Sequence, residues 1–384
     1  MKIPFNIFLS TFLLVYSLAA FYVGRHGWQM VKWLGGQKHF LMYWLGYTVL
    51  AATFFAGRIV QAKMPGPFSN WLALVGSYWL GVLYYAFFIL LVIDLIRLLN
   101  RYFKFLPSGS WANPAVIGWG VILLVAAIVI YGSWNALNPR INRYELTIPK
   151  QAGSIKQLHA VMVSDIHLGH IVDNSRLQHM VQQINALQPD IIMLAGDIID
   201  GDVEPFFSQN MPATLSQLRA PLGIYAILGN HEYYGGKSDV FVEALIKANI
   251  RVLRDEVVRV ADSFYVAGRN DRSLELRSPK GRRPLNKLLA NIDHNLPIIL
   301  LDHQPYNLGD SQKLGVDLQL SGHTHHGQMF PNNFITGYIF EQDWGYLRKG
   351  NTHVIVSCGY GTWGPPLRTG NHPEIVDIII HFAN

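Results

Sequence analysis

The pattern of apolar and polar positions changes character once along this chain. Before residue 138 it consists of long apolar blocks, at roughly 5–24, 40–60, 71–97 and 114–136, with basic residues at their ends. Each block reaches the ~20 residues that cross the hydrocarbon core of a bilayer, which predicts four transmembrane helices. Trp28, Trp33, Trp71 and Trp134 fall near block boundaries, where amphipathic rings favour the headgroup region. No small-residue cleavage site marks the first block as a signal peptide, and three further blocks follow it. Asn138-Pro139-Arg140 ends the fourth block, and from there the apolar runs become short. Strands are predicted at 142–148, 159–164, 191–195, 224–228, 264–267, 298–301, 317–320, 353–357 and 375–381. Between them, 174–187 and 238–248 carry apolar residues at helical spacing, as in Leu177, Met180, Val181, Ile184 and Leu187. Strands alternating with helices predict a layered α/β domain.

Charge follows the same division. Residues 1–138 hold nine Lys/Arg against the single acid Asp94, whereas the remainder holds 22 Lys/Arg against 24 Asp/Glu. The high isoelectric point therefore belongs to the apolar part and gives no reason to expect a nucleic-acid partner. Four spans place both chain ends on one side. Arg25, Lys32, Lys38, Arg97, Arg101 and Lys104 then face Lys2, Arg58, Lys63, Arg140 and Arg143 across the membrane. That excess of one leans toward a C-terminal domain outside the cytoplasm. Cys358 is the only cysteine, so no intrachain disulfide forms and the redox compartment stays open.

Five motifs stand just after predicted strands: Asp165-Ile-His167, Gly196-Asp197, Gly229-Asn230-His231-Glu232, His303 and Gly322-His323-Thr324-His325. Residues two apart on extended backbone face the same way, so Asp165 and His167 are expected to grip one ion from one side. His323 and His325 repeat that spacing and are expected to serve adjacent ions. Gly196 permits a sharp turn and close backbone approach. Asp197 has two carboxylate oxygens for two ions, and Asn230 offers a neutral oxygen. Each motif alone is commonplace, and the evidence is their conjunction in one order. Carboxylate, amide and imidazole donors suit Mn, Fe or Zn ions better than Ca²⁺.

This series resembles the calcineurin-like metallophosphoesterase superfamily, and more narrowly the bacterial membrane-associated branch that includes YkuE-like and YaeI-like phosphodiesterases. The resemblance covers roughly 140–384 and extends to Trp363-Gly-Pro-Pro-Leu-Arg368-Thr-Gly370 and Pro373-Glu374-Ile375. It implies two divalent metal ions, one held by Asp165, His167 and His325, the other by Asn230, His303 and His323, with Asp197 bridging. It also implies that the non-ligand His231 protonates or stabilises the leaving group while a hydroxide between the ions attacks phosphorus in line. The expected architecture is an N-terminal four-helix transmembrane domain, 1–138, followed by an α/β metallophosphoesterase domain, 139–384, with β-sandwich sheets flanked by helices. The expected activity is that of a membrane-anchored phosphohydrolase, a phosphodiesterase of a bacterial inner membrane. Its partners are the lipid bilayer and a phosphoester substrate, in one version lipidic. His326 departs from the branch, which has Gly there, and an added imidazole would either crowd the site or contact phosphate.

Two other function classes fit parts of the chain. A non-catalytic binding module would have lost ligands, and this sequence retains seven and His231. A sensor or transporter would need polar groups within the spans, of which Asp94 is the main example; its spacing to Arg97 predicts a local pair. The basic run Arg269, Arg272, Arg277, Lys280, Arg282, Arg283 and Lys287 is either a solvated face or a contact to anionic headgroups. Asp271 is expected in an Asx-type turn, with a role in orienting the site as the alternative.

Overall fold

The structure is a computed structural model that describes residues 5–105, 113–277 and 281–383. It divides into two compact units, Met1–Ser133 with Gly364–Leu367, and Trp134–Trp363 with Arg368–Asn384. The first unit is built on α1 (Phe5–Trp33), α2 (Phe40–Lys63), α3 (Pro67–Phe103) and α4 (Pro114–Ala136), the last turn of α4 belonging to the second unit. Among the described residues, three helical stretches are long and apolar enough to cross a membrane: Gln37–Lys63, Pro67–Phe103 and Pro114–Ala136. These are the second, third and fourth of the four expected blocks. The first block forms α1, whose last turns continue through Arg25, His26, Gln29 and Lys32.

Aromatic side chains with polar tips join these helices. Trp79 Nε1 donates to Tyr16 Oη at 3.0 Å, and Tyr16 Oη donates to Ala51 O at 2.6 Å. Asp94 pairs with Arg97 at 3.3 Å as its spacing predicts. Its carboxylate also reaches α1, at Tyr22 Oη (2.8 Å) and His26 Nε2 (3.0 Å).

Among the described residues the second unit contains twelve strands: β1 (Arg140–Ile148), β2 (Gln157–Val163), β3 (Ile191–Ala195), β4 (Ile224–Ile227), β5 (Arg251–Val252), β6 (Glu256–Val260), β7 (Phe264–Gly268), β8 (Ile298–Leu301), β9 (Leu318–Ser321), β10 (Gly345–Lys349), β11 (Thr352–Val356) and β12 (Glu374–Phe382). They form two mixed six-stranded sheets, ordered β1-β12-β2-β3-β4-β5 and β10-β11-β9-β8-β7-β6. Within them β2, β3, β4 and β5 run parallel, as do β7, β8, β9 and β11.

Strand alternation explains the layering. Alternate residues such as Ala160, Met162, Ile191 and Met193 of the first sheet share one core with Val266, Ile299, Leu301 and Leu320 of the second. The opposite faces, Val161, Val163, Ile192 and Leu194, pack beneath α5 (Asn174–Leu187) through Leu177, Met180, Val181 and Ile184. On the second sheet, Ala267, Ile298 and Leu300 are covered by Leu285, Leu288 and Leu289. Asp173 caps α5 by accepting from Arg176 N, a contribution of about 1 kcal/mol.

Candidate metal centre

β2, β3 and β4 end beside one another in the first sheet, and β8 and β9 in the second. All five motifs leave these carboxyl ends, the edge where parallel strands expose unpaired backbone and loops carry chemistry. Neighbouring loops continue to pair: Asp165 N donates to Gly196 O, His167 N to Asp197 O and Gly322 N to His303 O. Glu232, fully buried, joins two loops by accepting from the amides of Asp197 (3.1 Å) and Ile199 (2.9 Å) on one and of Gly229 (2.7 Å) on its own. Burial and the nearby charge of Asp197 push its pKa up to about 7 against the Ile199 and Gly229 amides, which lower it.

The motif residues meet for a reason other than strand alternation. Asp165 and His167 lie beyond the end of β2 and both have positive φ, as do Asp197, His323 and His325. A left-handed conformation costs a non-glycine residue roughly 1–2 kcal/mol, and such strain is characteristic of functional sites. Gly196, at φ +89°, makes the turn expected of it. At Gly322 a Cβ would stand 2.2 Å from Asp165 Oδ2, so only glycine lets that carboxylate approach.

Among the described residues three groups of donors result, the third being His167, Asp200 and His231. Asp165, His167 and His325 form the first, and Asp197, His303 and His323 the second, their atoms within 4.8 Å of one another. His167 Nε2 stands 3.0 Å from His325 Nε2, and His325 Nε2 stands 3.4 Å from Asp165 Oδ1. Ligands about 2.1 Å from one ion, at right angles, are separated by about 3 Å. Asp197 Oδ2 faces the first two groups, at 3.1 Å from His303 Nε2 and 4.0 Å from His167 Nε2. Its other oxygen accepts from His231 N at 2.9 Å.

The orientation of these groups suits cations. His303 Nδ1 donates to Ala195 O at 2.8 Å, leaving the Nε2 lone pair toward Asp197. His303 Nε2 and Asn230 Oδ1 are buried without a well-aligned hydrogen-bond partner. Burial lowers the pKa values of His323 and His325 and keeps their rings neutral. Burial also opposes charge on Asp197 and His303, yet their mutual attraction lowers the first pKa and raises the second. A site that draws a proton onto a buried imidazole in this way is anionic, and a divalent ion competes for the same nitrogen.

Asp200, only three residues beyond Asp197, was not apparent as a site residue from the motifs. Its Oδ1 lies 3.3 Å from His167 Nδ1 and 3.3 Å from His231 Nδ1, between the two rings. Burial disfavours charge on His231, but Asp200 and Asp197 outweigh it and hold its pKa at about 9. Arg368, also fully buried, stands 3.3 Å from His325 Nδ1. Asn371 donates to His325 O, fixing the same turn.

His326 neither enters these groups nor crowds them. Its Nδ1 meets Asp343 Oδ2 at 2.7 Å and its ring packs on Trp344, while φ 44° explains why a glycine would suit the position. Asp271 accepts from Ser273 N and also from Gln304 Nε2, so it both forms the turn and holds the residue after His303. In the basic run, Arg269 and Arg282 turn inward to Asp302 at 2.7 and 2.9 Å, and Arg272 lies over Tyr306. Those three are therefore not a free headgroup surface; Lys280 lies outside the described residues.

The sequence profile of the calcineurin-like phosphoesterases matches residues 158–327. A transmembrane protein with metallophosphoesterase domain from Danio rerio is 33% identical over 333 residues, 82% of this chain and 75% of that protein. An uncharacterized metallophosphoesterase from Aquifex aeolicus is 34% identical over 66% of this chain and 97% of its own length. The metallophosphoesterase YkuE from Bacillus subtilis is 31% identical over 58% and 79%. Among solved structures, a dimetal phosphatase from Danio rerio matches 59% of this chain and 99% of its own, with TM-score 0.40 and 14% identity. By these sequence relatives and the match over the site, the chain belongs to the calcineurin-like metallophosphoesterase family, hydrolases of phosphoric esters.

Proposed function

We propose that this metallophosphoesterase is a membrane-anchored phosphodiesterase that works with two divalent ions, manganese, iron or zinc. The observation that carries the reading is Asp197 Oδ2, which faces both buried donor groups at once. Asp165, His167 and His325 would hold one ion, and Asn230, His303 and His323 the other, with Asp197 between them. When bound, the ions clamp phosphoryl oxygens and lower the pKa of a water toward neutrality. His231 sits beside His167, ring centroids 4.6 Å apart, and against the effect of burial Asp200 and Asp197 raise its pKa and favour the protonated ring. It is placed to hand that proton to the departing oxygen, and Asp200 orients the ring for it.

Aromatic rings around the site favour a substrate with an apolar part. Tyr234 and Trp363 flank His231, and Phe340 lies between His323 and Tyr306. A lipidic phosphodiester fits such a rim. The domain assignment that accompanies this reading is 1–138 for the membrane part, with α1 as a fourth span, and 139–384 for the hydrolase. The balance of basic residues favours an extracytoplasmic hydrolase, and a bacterial inner membrane goes with the resemblance to the YkuE-like branch.

The full chain supplied with Mn²⁺ is expected to hydrolyse bis(p-nitrophenyl) phosphate. His231→Ala, which removes the proton donor and no proposed ligand, should lower kcat at least 10²-fold while metal content stays at two ions per chain. Hydrolysis at the unaltered rate in that variant would remove His231 from the mechanism, and absence of turnover in the parent chain would sink the diesterase reading.

A further inference from the structure

The helix Asn332–Ile339 begins seven residues after His325, contains no buried residue and is preceded by exposed Phe330. Phe334, Ile335, Tyr338 and Ile339 recur at one- and four-residue intervals, so they lie on one face. Tyr338 is 91% exposed, and Phe330, Phe334, Ile335 and Ile339 are each more than half exposed. No charged residue occurs from Phe330 to Phe340. A contiguous uncharged apolar face of this kind marks an interaction surface rather than an ordinary solvated one.

The rest of the segment is firmly held. Thr336 Oγ1 donates to Asp343 Oδ2 at 2.7 Å, the same oxygen that meets His326. Phe340, at the carboxyl end, packs on Tyr306 with centroids 4.8 Å apart. The exposed face is therefore presented by a fixed element tied to the turn that contains His325.

Hydrogen bonds within the same unit indicate what covers that face. Phe330 N donates to Thr369 Oγ1, and the amides of Thr369 and Gly370 donate to Gln328 O. The adjoining Arg368 O and Asn371 O accept from Asn135 Nδ2 at 2.8 and 2.7 Å. Asn135 lies in the last turn of α4, a helix long and apolar enough to cross a membrane. The strand of chain that leads into the apolar helix is thus bonded to the segment that receives the end of a span.

We propose that the Asn332–Ile339 helix and Phe330 lie in the headgroup region of the bilayer that α4 crosses, with the Phe334–Ile335–Tyr338–Ile339 face toward the acyl chains. Short amphipathic elements bind interfaces in this orientation, and an uncharged one relies on its apolar area. The consequence is a hydrolytic site at headgroup level, where a phosphodiester of a membrane lipid reaches it without leaving the bilayer. That consequence rests on the lipid-substrate reading above, but the position of the helix does not.

The test uses the full chain in lipid nanodiscs with an environment-sensitive fluorophore on Tyr338→Cys, Phe334→Cys or, as the solvent reference, Lys247→Cys. Cys358 is buried and remains unlabelled. Labels at 338 and 334 should show blue-shifted emission and lose most of it when the nanodisc contains phosphatidylcholine with a nitroxide high on its acyl chain. The label at 247 should do neither. A blue shift without nitroxide quenching would mean that protein, such as a second copy, covers the face, and would overturn the proposal. Emission at 338 and 334 equal to that at 247 would overturn it as well. Failure to hydrolyse diesters leaves these readings unaffected, so the two proposals fall separately.

Discussion

Asp197→Ala is expected to abolish diester hydrolysis, with kcat reduced by on the order of 10³-fold or more, which corresponds to about 4 kcal/mol of barrier. The size follows from position. One carboxylate oxygen faces both donor groups and the other receives the His231 amide at 2.9 Å. Its loss removes the one anion shared by the two groups and loosens the loop that carries Asn230 and His231. Asp197→Asn is the folding control, because it keeps an acceptor for His231 N while removing the charge. Initial rates at saturating Mn²⁺ report the effect, and a variant retaining a tenth of the parent rate would show that Asp197 is peripheral.

Arg368→Ala is expected to damage the fold as well as the site. Its guanidinium is fully buried and donates to the carbonyls of Cys358 (2.8 Å), Gly359 (3.0 Å) and Gly361 (2.6 Å), and to Asn371 Oδ1 (2.6 Å). Truncation leaves those buried acceptors without donors, each costing about 1–3 kcal/mol, and a buried charge network typically loses about 3–5 kcal/mol when one member is removed. For a domain of this size that shifts the midpoint of thermal unfolding down by about 10 °C. Arg368→Lys should recover little of it, since one ammonium cannot reproduce a planar fork aimed at several carbonyls. A midpoint within about 2 °C of the parent, followed by tryptophan fluorescence on heating, would contradict this account.

These two residues also illustrate what the sequence made legible. Asp197 follows Ile191–Ala195, an apolar run buried on both faces, so strand and candidate ligand are visible together. The same holds for the runs before Asp165, Asn230, His303 and His323. Strands β5, β6 and β10, all at sheet edges, are not among the predicted strands. β5 has two residues, while charged residues interrupt the apolar positions of β6 and β10 and leave no long apolar run. Element spacing was readable, and so was the convergence of motifs at strand ends.

The local geometry of the site was not. The i and i+2 spacing of Asp165 and His167 suggested extended backbone, whereas both are left-handed, a conformation set by the loop pairings of Asp165 N and His167 N. Asp200 carries no motif of its own and becomes meaningful only once His167 and His231 flank it. Arg368 was visible as part of the resemblance, but its role depends on carbonyls 7–10 residues distant that only a folded turn gathers.

The measurement that most directly tests the two-ion centre is anomalous diffraction at the manganese edge from crystals of the full chain grown with Mn²⁺. Two peaks are expected, one among Asp165, His167 and His325 and the other among Asn230, His303 and His323, both within bonding reach of Asp197. A single peak, or peaks away from Asp197, would contradict the account.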